Sequence, residues 1–203
     1  VLGGADAEWM RFSGVATEWD FVEAPSQIFE EWAVDYETLK PFAKNKRGQV
    51  VPKKLVEKMK AAEDFGRGLW VRHQMFYAAV SLNLHRLDPA TLAGGEGHDA
   101  VVKDAMTRHS PYPFVGGTHM QTSFGHLNGY SAIYYTYMWS LVIAKDMFSR
   151  FEKEGVLNPK TARDYRDKIL RPGGNKDAAD LVADFLGRPF SFKSFEKWLD
   201  RGP

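Results

Sequence analysis

The sequence predicts an all-α protein, and three observations carry that reading. Apolar residues recur at mixed spacings of three and four along most of the chain, the signature of a helix with one buried face. The 10 prolines and 18 glycines gather between these periodic stretches, where they punctuate helices. No convincing run of alternating apolar and polar residues, no internal repeat and no low-complexity tract competes with this.

The elements follow in order. Behind a Gly- and Ser-containing lead, "RFSGVATEW", Asp20 is placed to cap a helix carrying Glu23 in its first turn, with Pro25 early enough to be tolerated. Val22, Ile28, Phe29, Trp32 and Ala33 give this helix its apolar face, and Glu30 and Glu31 read as surface acids. The charged patches "KNKRG" and "KKLVEKMK" come next, then a long apolar helix from about Phe65 to His85. "LDPATLAGGEGHDA" reads as a loop, "DAVVKDAMTRH" as a short helix and "SPYPFVGGTHM" as irregular. A tyrosine-bearing helix then runs to about Glu154, with Gly155 as its terminator. Asn158 as cap and Pro159 in the first position open another helix. After a Pro-Gly-Gly turn, Lys176 and Asp177 open one more, which Gly187 closes. "SFKSFEKWLDRG" forms a last amphipathic turn or two.

Composition excludes several function classes. Across 203 residues, 44% hydrophobic and 14% aromatic content supports a sizeable core, and wholesale disorder is excluded. Lys plus Arg number 27 against 26 for Asp plus Glu, so no basic field argues for nucleic acid as a partner. The absence of cysteine rules out disulfides and thiolate metal sites and is compatible with a cytoplasmic home. The longest apolar runs, such as "SLVIA", are too short to span a bilayer, so no membrane partner is expected.

Two stretches point to chemistry. In "FGHLNGYSAIYYTYMWSLVIAKDMF" the spacing places Tyr130, Tyr134, Tyr137 and Leu141 at i, i+4, i+7 and i+11, one stripe of a helix. Buried phenols need hydrogen-bond partners, which a polar network, cleft water or a substrate would supply. The stripe reads equally as a core interface and as a donor surface. The glycine-flanked His126 just before it favours a closely approachable loop, and imidazole with phenols could donate to an anionic tetrahedral intermediate. In "DFVEAPSQIFEEWA" Glu23 heads an apolar helix face; an acid there also simply suits the helix dipole. The six histidines include no pair at i, i+4, and H-E-x-x-H is absent, so a helical His-pair zinc site cannot form. His119 and His126 could still converge in a loop.

Together, "DFVEAPSQIFEEWA", "GHLNGYSAIYYTYMWS" and "GVLNPKTARDYRDKILRPGGNKDAADLVADFLGRP" resemble the thimet oligopeptidase-like zinc metallopeptidases (peptidase family M3), which include oligopeptidase A, peptidyl-dipeptidase and oligoendopeptidase F types. The blocks stand in family order from about Arg11 to the C-terminus. The resemblance implies the multi-helix C-terminal portion of a zincin-type oligopeptidase fold and hydrolysis of short peptides by the full-length enzyme with one zinc ion. It implies Glu23 as a zinc ligand, and Tyr134 and Tyr137 as residues that stabilise the oxyanion and orient the scissile carbonyl. His126, Tyr130 and Gly129 take substrate-binding positions, with His126 also in the catalytic set.

Two departures shape the expectation. The family's H-E-x-x-H helix stands roughly two dozen residues before the third ligand, whereas twenty-two residues precede Glu23. Residues 1–203 are therefore expected to be the C-terminal part of the catalytic domain, beginning just after that helix; the start "VLGGADAEW" without Met fits such a cut. A lone carboxylate does not hold a catalytic zinc, so the chain is expected to be inactive alone and to need the N-terminal part of the same enzyme. The uncovered face is expected to make it self-associate. The second departure is "HLNGY", one residue shorter than H-L-x-G-G-Y, a change a flexible loop absorbs. The competing reading is a non-catalytic helical remnant, or a peptide-binding module lacking metal.

Overall fold

A computed structural model describes residues 7–92 and 96–201. It is all-α: among the described residues the only β feature is an isolated antiparallel bridge between Lys44 and Val50. The chain divides into two compact units, one formed by the residues up to Phe65 together with those from Trp139 onward, the other by Gly66–Met138.

In the first unit, α1 (Ala24–Ala33) starts later than the spacing predicts, with Glu23 as N-cap and Pro25 in its first turn. The proline explains the shift. It has no N–H to donate, so a helix beginning at Asp20 would lose an interior bond, whereas one beginning at Ala24 puts Pro25 where that N–H is unused anyway. Asp20 lies in the preceding turns, where its carbonyl accepts a hydrogen bond from Ser140 Oγ at 2.8 Å. The short α2 (Tyr36–Leu39) is capped by Asp35, whose carboxylate accepts from Thr38 N–H. The patch "KKLVEKMK" proves to be helical, inside α3 (Lys53–Asp64), with Val56 its one buried residue. Leu55 and Met59, on the same side of the helix as Val56, stay exposed.

The core of this unit forms around α7 (Thr136–Glu154), whose Ile143, Ala144, Met147, Phe148 and Phe151 pack with Phe21, Ala24 and Ile28. Trp32 on α1 lays its ring against Phe148 and Phe151 at 5.3 and 4.9 Å, and its Nε1 donates to the Val156 carbonyl. Glu31 is not a free surface acid. It forms an ion pair with Lys145, both side chains being only 16% exposed, and the Lys145 ammonium lies over the Trp198 ring. Gly155 (φ 107°) follows α7, and Asn158 caps α8 (Pro159–Tyr165) by accepting from Lys160 N–H, as its residue type predicts. A π turn at Arg166–Leu170 continues α8. The cap of α9 (Ala178–Leu186) is imported: Asp177 makes no side-chain cap bond, and Glu18 accepts from Ala178 N–H at 2.7 Å instead. Gly187 closes α9 in the left-handed conformation (φ 71°), and α10 spans Lys193–Leu199.

The second unit is built on α4 (Arg67–Arg86) packed against α5 (Glu96–His109). Phe76, Val80, Val102 and Ala105 form its core. The stretch read as a loop contains a 3-10 turn at Pro89–Leu92 and the start of α5; its residues 93–95 lie outside the described residues, as does the start of the sequence through residue 6. The short α6 (His126–Gly129) and the first turn of α7 close this unit.

Candidate active site

The tyrosine stripe is not one helix. Between α6 and α7 the chain turns tightly through Tyr130–Tyr135, with Ser131 in the left-handed region at φ 48° and i to i+3 bonds such as Ile133 N–H to Tyr130 carbonyl at 2.9 Å. The cause is Ser81 on α4, buried to 1%. Its hydroxyl donates to the Ser131 carbonyl at 2.5 Å and accepts, at 3.4 Å, from Tyr134 N–H. Side-chain hydrogen bonds thus take over backbone groups that a continuous helix would have paired internally.

The turn still brings the predicted side chains together. His126 packs against Tyr130, Tyr134 and Tyr137 with ring centroids at 5.7, 5.0 and 5.7 Å. Tyr137 lies 5.3 Å from Tyr130 and 4.9 Å from Tyr134. Such tilted and edge-on contacts are the favoured aromatic geometries. His126 is exposed, Tyr130 and Tyr137 are half-buried and Tyr134 is buried, so one edge of the cluster is open to solvent. Gly129 is exposed beside it, with nothing within reach of an added Cβ.

Tyr134 sits deepest. Its hydroxyl donates to Gln74 Oε1 at 3.0 Å. Burial pushes its pKa up to about 12, with Tyr137 and Tyr77 adding to the effect, so it remains a neutral phenol across the physiological range. No sequence motif marks Gln74, Tyr77 or Ser81, yet all three touch Tyr134, the Tyr77 ring at 5.5 Å. They stand at i, i+3 and i+7 on α4, one helical face. Two polar residues on the face of an apolar helix were the available signal. Phe124, 5.3 Å from Tyr134 and 5.4 Å from His126, completes the packing.

Glu23 and His119 have partners of their own. Glu23 is in the first unit, where Ser26 Oγ donates to its carboxylate and to its carbonyl at 2.9 Å each. His119 engages Asp99 on α5 through Nδ1 at 3.0 Å. That hydrogen bond and one from Gln121 hold the Asp99 carboxyl below its ordinary value. Among the described residues no group of three or more His, Cys, Asp or Glu lies together in a way that could hold a metal ion. Since a catalytic zinc takes three protein ligands, the described residues do not by themselves fit the ion that the resemblance implies. What the cluster offers chemically is a set of phenol and imidazole groups, hydrogen-bond donors suited to a carbonyl oxygen gaining negative charge.

The chain is 32% identical over 182 residues to the mitochondrial intermediate peptidase of Arabidopsis thaliana, covering 89% of this chain and 25% of the relative. It is 35% identical over 188 residues to oligopeptidase A of Escherichia coli (87% and 26%), and 33% identical over 179 residues to the probable cytosolic oligopeptidase A of Arabidopsis thaliana (84% and 25%). The chain thus spans about a quarter of the length of these curated relatives. No described helix is long and apolar enough to cross a membrane. Residues 5–200 match the family described as Peptidase family M3, and the chain belongs to that family.

Proposed function

We propose that the protein containing this chain is a zinc-dependent oligopeptidase that hydrolyses short peptides, and that residues 1–203 are the C-terminal part of its catalytic domain. The observation that carries the reading is the cluster of His126, Tyr130, Tyr134 and Tyr137, open on one edge, in a chain of a peptidase family. His126 and Tyr137 present donors to the scissile carbonyl and share its developing negative charge. Tyr130 and Gly129 contact the bound peptide, the exposed glycine allowing its backbone to approach closely. Tyr134 belongs to the same catalytic cluster, its ring packed against both His126 and Tyr137. Glu23 is one zinc ligand; the other ligands come from outside this sequence, and the chain alone is inactive. For location we propose the cytoplasm, a reading supported by the cytosolic relative; cell fractionation tests it, given the mitochondrial one.

The test compares this chain with the whole protein on a short fluorogenic peptide, alongside metal analysis. The expected result is one zinc and cleavage by the whole protein, neither by residues 1–203 alone, and loss of both zinc and activity on Glu23→Ala. A whole protein that retains stoichiometric zinc after Glu23→Ala removes Glu23 from the ligand set. A whole protein that cleaves no short peptide removes the enzymatic reading in favour of a peptide-binding role.

A further inference from the structure

Tyr134 is gripped from end to end by one face of α4. Ser81 accepts its backbone N–H, the Tyr77 ring packs on its ring, and Gln74 takes its hydroxyl proton at 3.0 Å. On its other side the same ring touches His126 at 5.0 Å and Tyr137 at 4.9 Å. A phenol has a single proton to donate. In this arrangement it goes to the Gln74 amide oxygen, so it is turned away from His126, Tyr137 and anything bound at the open edge. What Tyr134 presents to its neighbours is a ring held at both ends.

We propose that Gln74 is a positioning residue of the peptidase site: by accepting the Tyr134 hydroxyl proton it fixes Tyr134 as the wedge that sets the angles of His126 and Tyr137, and Tyr134 itself donates nothing to the substrate. The proposal rests on the peptidase reading above. It narrows the role the resemblance implies for Tyr134 from direct donor to internal support. A hydrogen-bonded amide suits that task because it cannot ionise, so the support does not change with pH as a carboxylate's would.

The experiment is steady-state kinetics of the whole protein on a short fluorogenic peptide, with thermal melts of every variant. Gln74→Met removes the acceptor at similar volume, and Tyr134→Phe removes the proton it accepts. Each is expected to lower kcat by about tenfold to a hundredfold with KM little changed, as for a small misplacement of catalytic groups. The double variant should be no slower than the slower single one, since both break the same bond. Gln74→Glu keeps an acceptor oxygen and should recover most of kcat. If Tyr134→Phe instead costs about 10²–10³ in kcat, as loss of an oxyanion donor does, while Gln74→Met is silent, Tyr134 is a direct donor and the proposal falls. It also falls if Gln74→Met and Gln74→Glu are equally slow in proportion to lost folded protein, for then the pair is only structural. A wild-type protein that cleaves no peptide overturns the peptidase reading and this proposal together, an outcome distinct from both.

Discussion

Asp146, wholly buried on α7, accepts two hydrogen bonds from the Arg188 guanidinium at 2.7 and 2.9 Å. Ser191 N–H and Ser194 Oγ complete its shell at 2.8 and 3.0 Å. The segment after α9 is thereby tied to the central helix through one carboxylate. Burial alone would push the Asp146 pKa up, but the hydrogen bonds from Arg188, Ser191 and Ser194 outweigh it and hold the group below its ordinary value. An unfolded aspartate titrates near pH 4. The folded form binds its proton only at lower pH, so this stabilisation is complete above about pH 4 and is lost as pH falls further, through the folded pKa. Arg188→Met should cost about 2 kcal/mol at neutral pH, in the range for hydrogen bonds to a charged group. It should also move the acid-unfolding midpoint upward, because the unpaired carboxylate then takes up its proton more readily. Urea titrations across pH check both.

Tyr165 poses the opposite case. Its side chain is buried among Phe29, Phe151 and Phe185, with ring centroids at 6.0, 6.0 and 5.5 Å, and among the described residues its hydroxyl finds no hydrogen-bond partner. Burying such a hydroxyl unpaired costs about 1–3 kcal/mol. Tyr165→Phe is therefore expected to leave the thermal midpoint unchanged or raise it. A clear loss of stability on that substitution would show that the hydroxyl has a partner in solution.

The helical class and several helix ends were legible because they rest on local chemistry. Asn158 caps α8 through its own side chain and Gly187 takes a positive φ at the end of α9, and both effects belong to the residue type. Features supplied by a distant residue were not legible. The cap of α9 comes from Glu18, and the break between Tyr130 and Tyr137 is imposed by Ser81, roughly fifty residues earlier. The site followed the same division. Its phenols and histidine were visible as a motif, whereas Gln74, which decides where the Tyr134 proton points, could be recognised only once α4 lay beside the turn.

The Pro-Gly-Gly motif reads as a turn, but the close approach at Gly174 does not follow from that. A Cβ there would meet the Ala16 carbonyl oxygen at 1.7 Å, and the obstacle is backbone, which cannot swing aside. Gly174→Ala should destabilise by more than about 2 kcal/mol, at the upper end of overpacking costs. Gly155, whose added Cβ would meet only Asn158 Cβ at 3.7 Å, carries a positive φ of 107° and so tests backbone strain rather than space. Comparing the two alanine variants by chemical denaturation separates the mechanisms, and a silent Gly174→Ala would mean that the lead before α1 does not pack there in solution.

Large apolar side chains near Glu23 remain open to solvent, among them Trp19 at 55% and Phe29 at 53% exposure. Exposed apolar surface of this kind tends to find a partner, and a second copy is the partner always present in a purified sample. Residues 1–203 expressed alone should self-associate at high concentration, and Phe29→Ser should weaken the association. Light scattering over a dilution series checks this, and a concentration-independent monomer mass would refute it.

Ser81 is the residue on which the site's shape depends most directly. It holds Ser131 in the left-handed region, a conformation that costs a non-glycine residue roughly 1–2 kcal/mol, by donating to its carbonyl. Ser81→Ala removes that donor and leaves the partly exposed turn without its clamp, at a cost of about 0.5–1.5 kcal/mol. If the clamp and the strained φ belong to one device, Ser131→Gly should be tolerated and should recover part of the Ser81→Ala loss, because glycine adopts φ 48° without the steric penalty. Ser131→Val should be the most damaging of the set. Additive losses from Ser81→Ala and Ser131→Gly would contradict the coupling. Independent of stability, tyrosine ring-current shifts in the NMR spectrum should change on Ser81→Ala at Tyr134 and Tyr137 together, since both rings are placed by the same turn.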